Sequence, residues 1–275
     1  MRDTVGVRLM ATDLDGTLLG PAGAISARNL ASLRKLGDQG VVRVIATGRS
    51  GFSALKVLPR DLPIDYLIVS SGAGVIDWKT RTYLRTIDME PSQSADAAEA
   101  LCSMGLDFMV HDPMPDNHRF VFHRAVGCAD FERRVALYDG HAVSGAGPWA
   151  QKASQLLAVH GPDSVHVEAV AASLPTHTVL RTTSPLDHAS VWIEIFPAAV
   201  SKAQGCAWVA ARHGLSAADA VAVGNDTNDL DMLRWAHRGV VVRNAHPSLL
   251  TEFEAVSAYD HDGFSDAAAL EPMRA

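Results

Sequence analysis

The chain has 275 residues, 48% hydrophobic and 20% charged, enough apolar material to bury a core in one large domain or two modest ones. Its net charge of −7 argues against a bulk electrostatic grip on nucleic acid or on an anionic membrane. A small anionic substrate stays open, because a metal ion and one or two placed cations can reverse the local field. The three cysteines, Cys102, Cys128 and Cys206, lie far apart and form no C-x-x-C, which argues against a disulfide framework or a zinc knuckle and for a reducing compartment. No stretch approaches the roughly 18 apolar residues that span a bilayer, and Asp3 precedes any signal-like run, so the expected location is the cytoplasm.

Val7 to Ala11 is a short apolar run that stops at Asp13-Leu14-Asp15-Gly16, the pattern of a buried strand delivering a polar loop. Ser26 can cap a helix carrying Leu30, Leu33 and Leu36 at helical spacing, with Gly37 and Gly40 closing it. Val41–Ala46 reads as a second strand, Phe52–Leu58 as a helix stopped by Pro59, and Tyr66–Ser70 as a third strand. This alternation predicts a parallel sheet covered on both faces.

The middle, about residues 80–195, reads differently. Helical stretches at Ser92–Met104, Ala129–Tyr138 and Ser164–Leu174 are interleaved with strands at Asp107–His111, Arg119–His123, Gln155–His160, Thr178–Thr183 and Ser190–Phe196. Adjacent strands without a helix between them suggest antiparallel pairing, hence a separate α+β domain inserted into the first. The first rhythm then returns: helix Ser201–His213, strand Ala220–Val223, helix Asn228–Trp235, strand Gly239–Val242, helix His246–Phe253 with Pro247 in its first turn, and a last strand Ala255–Tyr259. No internal repeat interrupts it.

Four segments carry candidate chemistry. Asp13-Leu14-Asp15-Gly16-Thr17 follows the first strand, and ligands of open α/β sheets bind beyond the carboxyl ends of strands. Two carboxylates at i, i+2 can divide the work, one attacking phosphorus and the other moving protons, although Asp and Gly also suit an ordinary turn. Thr47-Gly48-Arg49 follows the second strand; a hydroxyl and backbone N–H groups there suit a phosphoryl oxygen, or simply a strand-ending turn. Lys202 stands at a helix start, where the dipole disfavours a cation unless an anion is near; a solvated surface lysine is the alternative. Gly224-Asn225-Asp226-Thr227-Asn228-Asp229 offers four oxygen-bearing side chains to a hard cation such as Mg²⁺, or serves as a helix N-cap with acids in its first turn.

Together these segments resemble the haloacid dehalogenase-like (HAD) superfamily, in particular its Cof-type phosphatases with a large inserted cap of class IIB. D-L-D-G-T at 13–17, I-A-T-G-R at 45–49, Lys202 in I-E-I-F-P-A-A-V-S-K, and G-N-D-T-N-D at 224–229 look like the four family motifs in order. S-G-A-G-V-I-D at 71–77 and D-G-F-S at 262–265 are similar to the cap entrance and the C-terminal signature. The resemblance implies a Rossmann-like parallel-sheet core over 1–80 and 196–275 with an inserted α+β cap over 81–195 that governs specificity. It implies a Mg²⁺-dependent phosphatase acting on a small phosphorylated metabolite, a sugar phosphate or similar monoester. Asp13 would be the nucleophile and Asp15 the acid and base. Thr47 and Lys202 would hold the phosphoryl group, with Gly48, Arg49 and Asn228 at the substrate. The metal would be held by Asp13, the Asp15 main chain and motif-four residues among Asn225, Asp226 and Asp229.

Asn225 stands where the family usually has Asp. An amide oxygen can ligate Mg²⁺ but brings no charge, so Asp226 is an alternative ligand. Two other readings remain: a sugar phosphomutase on the same core, and a catalytically weak protein that binds phosphometabolites. Polar residues on the cap, namely His111, Asp112, Asn117, His118, Arg119 and Arg124, are candidates for substrate selection. Oligomeric state is not legible.

Overall fold

The computed structural model describes residues 7–161, 166–187 and 189–270. β1 (Leu9–Thr12) is buried along its whole length. α1 (Ala27–Asp38) begins at Ser26, whose side chain accepts the Asn29 N–H at 3.0 Å, the usual service of a hydroxyl N-cap. The helix runs through Gly37 to Asp38 and closes at Gln39, followed by Gly40 at φ 73°; at Gly37 the space a Cβ would take is filled by the Arg43 guanidinium. β2 (Val42–Ala46), α2 (Gly51–Val57) and β3 (Tyr66–Val69) follow. The chain then adds β4 (Gly74–Asp77), antiparallel to β3, and β5 (Tyr83–Thr86) at the sheet edge. No strand was expected there from the sequence: both are only four residues long, and β5 is not buried at any position.

The inserted segment contains α3 (Pro91–Ser103), β6 (Asp107–His111), β7 (Phe120–His123), α4 (Ala129–Leu137), β8 (Ala142–Ser144), β9 (Gln155–His160), α5 (His166–Ser173), β10 (His177–Thr183) and β11 (Val191–Pro197). The expected start of α5 at Ser164 lies outside the described residues. The chain returns through α6 (Lys202–Arg212), β12 (Ala220–Gly224), α7 (Leu230–Trp235), β13 (Arg238–Val242), α8 (Pro247–Leu250), β14 (Glu254–Val256) and α9 (Gly263–Ala269).

Two compact units result. One takes the described residues up to Arg49, Ser53–Arg85 and those from Ser201 on; the other takes Ser50–Phe52 and Thr86–Val200. In the first, one sheet runs β14-β13-β12-β1-β2-β3-β4-β5, parallel from β14 to β3. Leu9 and Ala11, alternate residues of β1, join Val44, Ile68, Val209 and Met232 in one apolar cluster, which packs α6 and α7 on that face. Gly205 lets α6 lie close on β3, since a Cβ there would meet Ile68 at 2.9 Å.

The second unit is a six-stranded sheet, β10-β11-β9-β6-β7-β8, antiparallel except for the β7–β8 pair. Its pleat alternates two cores. Phe108, Val110, Leu156 and Ile193 pack with Ala97 and Val170 of α3 and α5, while Met109, Phe122, Leu157 and Trp192 pack with Phe131 of α4. Buried Asp107 is wrapped by the turn after β7, accepting the N–H groups of Ala125, Val126, Gly127 and Cys128 at 2.7–3.0 Å. Burial alone would raise its carboxyl, but these bonds to the charged form hold it below its ordinary value.

Candidate active site

The site is assembled at the carboxyl ends of the central strands of the first unit. β1 ends at Asp13, whose N–H is held by the Val223 carbonyl of β12 at 2.9 Å. Asp13 is 5% exposed. β2 ends at Thr47, buried, whose hydroxyl accepts the Arg49 N–H at 3.1 Å. β3 ends in a left-handed turn, Ser70 (φ 48°), Ser71 (φ 54°) and Gly72 (φ 112°). A Cβ on Gly72 would sit 2.1 Å from the Ser201 carbonyl oxygen, so this turn lies against the residue that opens α6. Ser201 caps that helix by accepting the Gln204 N–H, and Lys202 is its first residue.

Lys202 is 1% exposed. Its Nζ donates to Asp13 Oδ1 at 2.7 Å and to Asp229 Oδ1 at 2.6 Å. The cation at this helix start is held by two buried carboxylates and is not a solvated surface lysine. Asp229 uses its second oxygen to accept the backbone N–H groups of Asn225 and Asp226 at 2.8 and 3.0 Å. Gly224 permits this approach, since a Cβ there would be 2.6 Å from that of Asp229.

The charges follow from this geometry. Burial, then the nearby Asp229 carboxylate, pushes the Asp13 carboxyl up from 3.8 to about 7, against the pull of Lys202. Burial by itself would lower the Lys202 ammonium, but Asp13 and Asp229 override it and hold it above its ordinary value.

Asp15, by contrast, faces outward. The Arg49 guanidinium takes both its oxygens, Nε to Oδ2 at 2.7 Å and Nη2 to Oδ1 at 2.6 Å, with the two side chains 30% and 42% exposed. Immediately after Asp15, Gly16 adopts φ 74°, and a Cβ there would meet Asn225 Nδ2 at 2.7 Å. The Thr17 hydroxyl donates to Asn225 Oδ1 at 3.1 Å.

The structure therefore joins Asp13, Lys202 and Asp229 directly, pairs Asp15 with Arg49, and places Asn225 against Gly16 and Thr17. Asp226 instead caps the 3-10 turn Thr227–Asp229, accepting the Thr227 N–H at 2.7 Å; Asn228 lies half-buried within that turn, and Gly48 half-buried beside Thr47. Among the described residues no group of three or more His, Cys, Asp or Glu side chains could hold a metal. The oxygen donors that remain at this edge are the Asp13 carboxylate, loop carbonyls and the Asn225 amide, a hard set suited to a small divalent cation.

Sequence reading missed Asn244, two residues beyond β13, whose Nδ2 donates to the Gly16 carbonyl at 2.9 Å. It also missed Asn29, which accepts the N–H and hydroxyl of Ser265 and so ties α1 to α9. In the second unit, His111 is buried against the Asn117 carbonyl at 2.8 Å, and Arg124 is paired bidentately with Glu132 at 2.6 and 2.9 Å.

The family model for haloacid dehalogenase-like hydrolases matches residues 10–267. The chain belongs to that family. This haloacid dehalogenase-like hydrolase is 26% identical over 270 residues to the 5-amino-6-(5-phospho-D-ribitylamino)uracil phosphatase YwtE of Bacillus subtilis, covering 87% of this chain and 88% of that one. It is 25% identical over 260 residues to the HMP-PP phosphatase of Citrobacter koseri, covering 92% and 90%. Its fold is similar to that of BT1666 from Bacteroides thetaiotaomicron, a member of the same superfamily, with a TM-score of 0.77 at 20% identity over 97% of this chain and 96% of that one. No helix among the described residues is long and apolar enough to cross a membrane.

Proposed function

We propose that this hydrolase is a phosphatase that cleaves a small phosphate monoester through an aspartyl-phosphate on Asp13. The observation that carries the reading is the buried Asp13–Lys202–Asp229 array at the end of the central strand. It supplies an oxygen nucleophile and a fixed cation at one point, which is what a phosphoryl group in transfer needs. The phosphatase names of two full-length relatives support it.

In the first step an Asp13 oxygen attacks phosphorus and the bond from phosphorus to the ester oxygen breaks. Asp15 gives its proton to that leaving oxygen. In the second step water attacks the acyl phosphate, Asp15 takes the water's proton, and Asp13 is regenerated with release of inorganic phosphate. Lys202 and Thr47 hold the phosphoryl oxygens. Asp229, with both oxygens engaged, acts by fixing Lys202 and the backbone at Asn225 and Asp226, rather than as a metal ligand. Arg49 acts through Asp15, fixing the direction of its carboxyl group by pairing with both oxygens.

The site fits a divalent cation such as Mg²⁺. The Asp13 carboxyl, raised to about 7 by burial and like charge, is the kind of group a cation relieves, and the Asn225 amide oxygen stands beside the loop. When bound, Mg²⁺ would neutralise charge on the phosphoryl oxygens; Asp13, the Asp15 main chain and Asn225 would hold it. Asp226, used as a cap, is the weaker candidate.

Release of phosphate from a chromogenic aryl phosphate, with Mg²⁺ and with a chelator, tests the reading. Mg²⁺-dependent turnover abolished by Asp13→Asn is the expected result. Absence of turnover with every divalent metal tried would reject it. A panel of phosphorylated metabolites would then name the substrate class.

A further inference from the structure

We propose that Asn244 is a positioning residue that holds the nucleophile-bearing loop in register by clamping the Gly16 carbonyl. This rests on the reading of Asp13 as the nucleophile. The Asp13–Thr17 loop places one carboxylate on Lys202 and the other on Arg49 within three residues, and directly after Asp15 it turns at Gly16 with φ 74°, a residue whose backbone has wide conformational freedom. Something outside the loop must fix it. Thr17 is tied to Asn225 and Asp15 to Arg49, leaving the Gly16–Thr17 peptide between them. Asn244 Nδ2 donates to that peptide's carbonyl at 2.9 Å.

The amide's orientation is set by its other partner. Asn244 Oδ1 accepts the Tyr259 backbone N–H at 2.9 Å. A backbone N–H can only donate and a carbonyl can only accept, so the oxygen must face Tyr259 and the nitrogen must face Gly16. One side chain thus links the segment after β14 to the centre of the catalytic loop. A purely local role for an exposed loop asparagine does not account for two main-chain partners so distant from each other in sequence.

Asn244→Asp separates the two halves of the clamp. It keeps an acceptor for Tyr259 but turns the donor facing Gly16 into a second acceptor. Asn244→Ala removes both. Four quantities are read on the full chain: kcat and KM for a chromogenic aryl phosphate with Mg²⁺, hydrogen exchange of the segment containing Asp13–Leu18, and the melting temperature. For both variants the expected result is a fall in kcat of about tenfold or more, with KM changed less than about twofold and faster exchange in that segment. Asn244→Asp should melt close to the wild type, which separates positioning from general destabilisation. Wild-type kcat in Asn244→Asp, or wild-type exchange in both variants, would overturn the proposal. If the wild-type protein hydrolyses no phosphate ester, the phosphatase reading fails, and the exchange result still decides whether Asn244 holds the loop.

Discussion

Asp13 and Asp229 flank a single ammonium group, each accepting one hydrogen bond from Lys202 Nζ, and the charge of Asp229 is the second cause, after burial, that raises the Asp13 carboxyl. The proposed nucleophile, Asp13, is thus held where its negative form is costly and depends on its neighbours. The first two predictions come from this arrangement.

Asp13→Asn should abolish turnover, because the amide keeps the shape but has no anionic oxygen to attack with. Its stability should also depend differently on pH. An acid whose folded pKa lies above its unfolded value stabilises the fold below the unfolded pKa, here 3.8, and that contribution is lost as pH rises through about 7. Asn has no such titration. In chelator, the melting temperature of the wild type should therefore fall relative to Asp13→Asn between about pH 4 and pH 8. Parallel melting curves across that range would contradict the raised carboxyl.

Lys202→Met should remove activity and destabilise the fold by about 3–5 kcal/mol, since it leaves two buried carboxylates without their shared cation. Urea unfolding measures this. A loss under about 1 kcal/mol would mean that the pair is solvated in solution and is worth no more than a surface contact.

Arg49→Ala should reveal whether Arg49 acts through Asp15. A substrate with a poor alkoxide leaving group needs a proton at the leaving oxygen, and an activated aryl ester hardly does. The variant should lose about tenfold or more in kcat on an alkyl phosphate while changing much less on an aryl one. Equal losses on both, or a change confined to KM, would favour direct contact between Arg49 and substrate.

Gly72→Ala should cost about 3 kcal/mol or more, combining a left-handed backbone with overlap at the Ser201 carbonyl. Gly40→Ala is its control: φ is 73° but nothing lies within 4 Å of the added carbon, so about 1 kcal/mol is expected. Denaturant midpoints would compare them.

The strand-end loops were legible because each joins a buried apolar run to an abrupt polar segment, as Val7–Ala11 does with Asp13 and Ala220–Val223 with Asn225. The α1 cap at Ser26 was legible for a similar local reason. The β4–β5 hairpin and β8 were not, because strands of three or four residues at a sheet edge carry too little periodicity. α9 was missed too: its start at Asp262, with φ 60°, is set by contacts with α1, not by its own spacing. The same limit hid the partners within the site. Nothing near residue 49 says that its guanidinium will meet Asp15, and nothing near 244 points to Gly16; such pairings exist only once the sheet has brought the strand ends together.

The order of strands has a consequence for synthesis on the ribosome. β1 lies between β2 and β12, with Leu9 opposite Val42 on one side and Ala220 on the other. Its second edge stays bare until Ala220–Gly224 has emerged, whereas the intervening Thr86–Val200 unit is complete before then. A newly made chain therefore carries an open, apolar strand edge through most of translation, a window for mispairing that domains with only local contacts avoid.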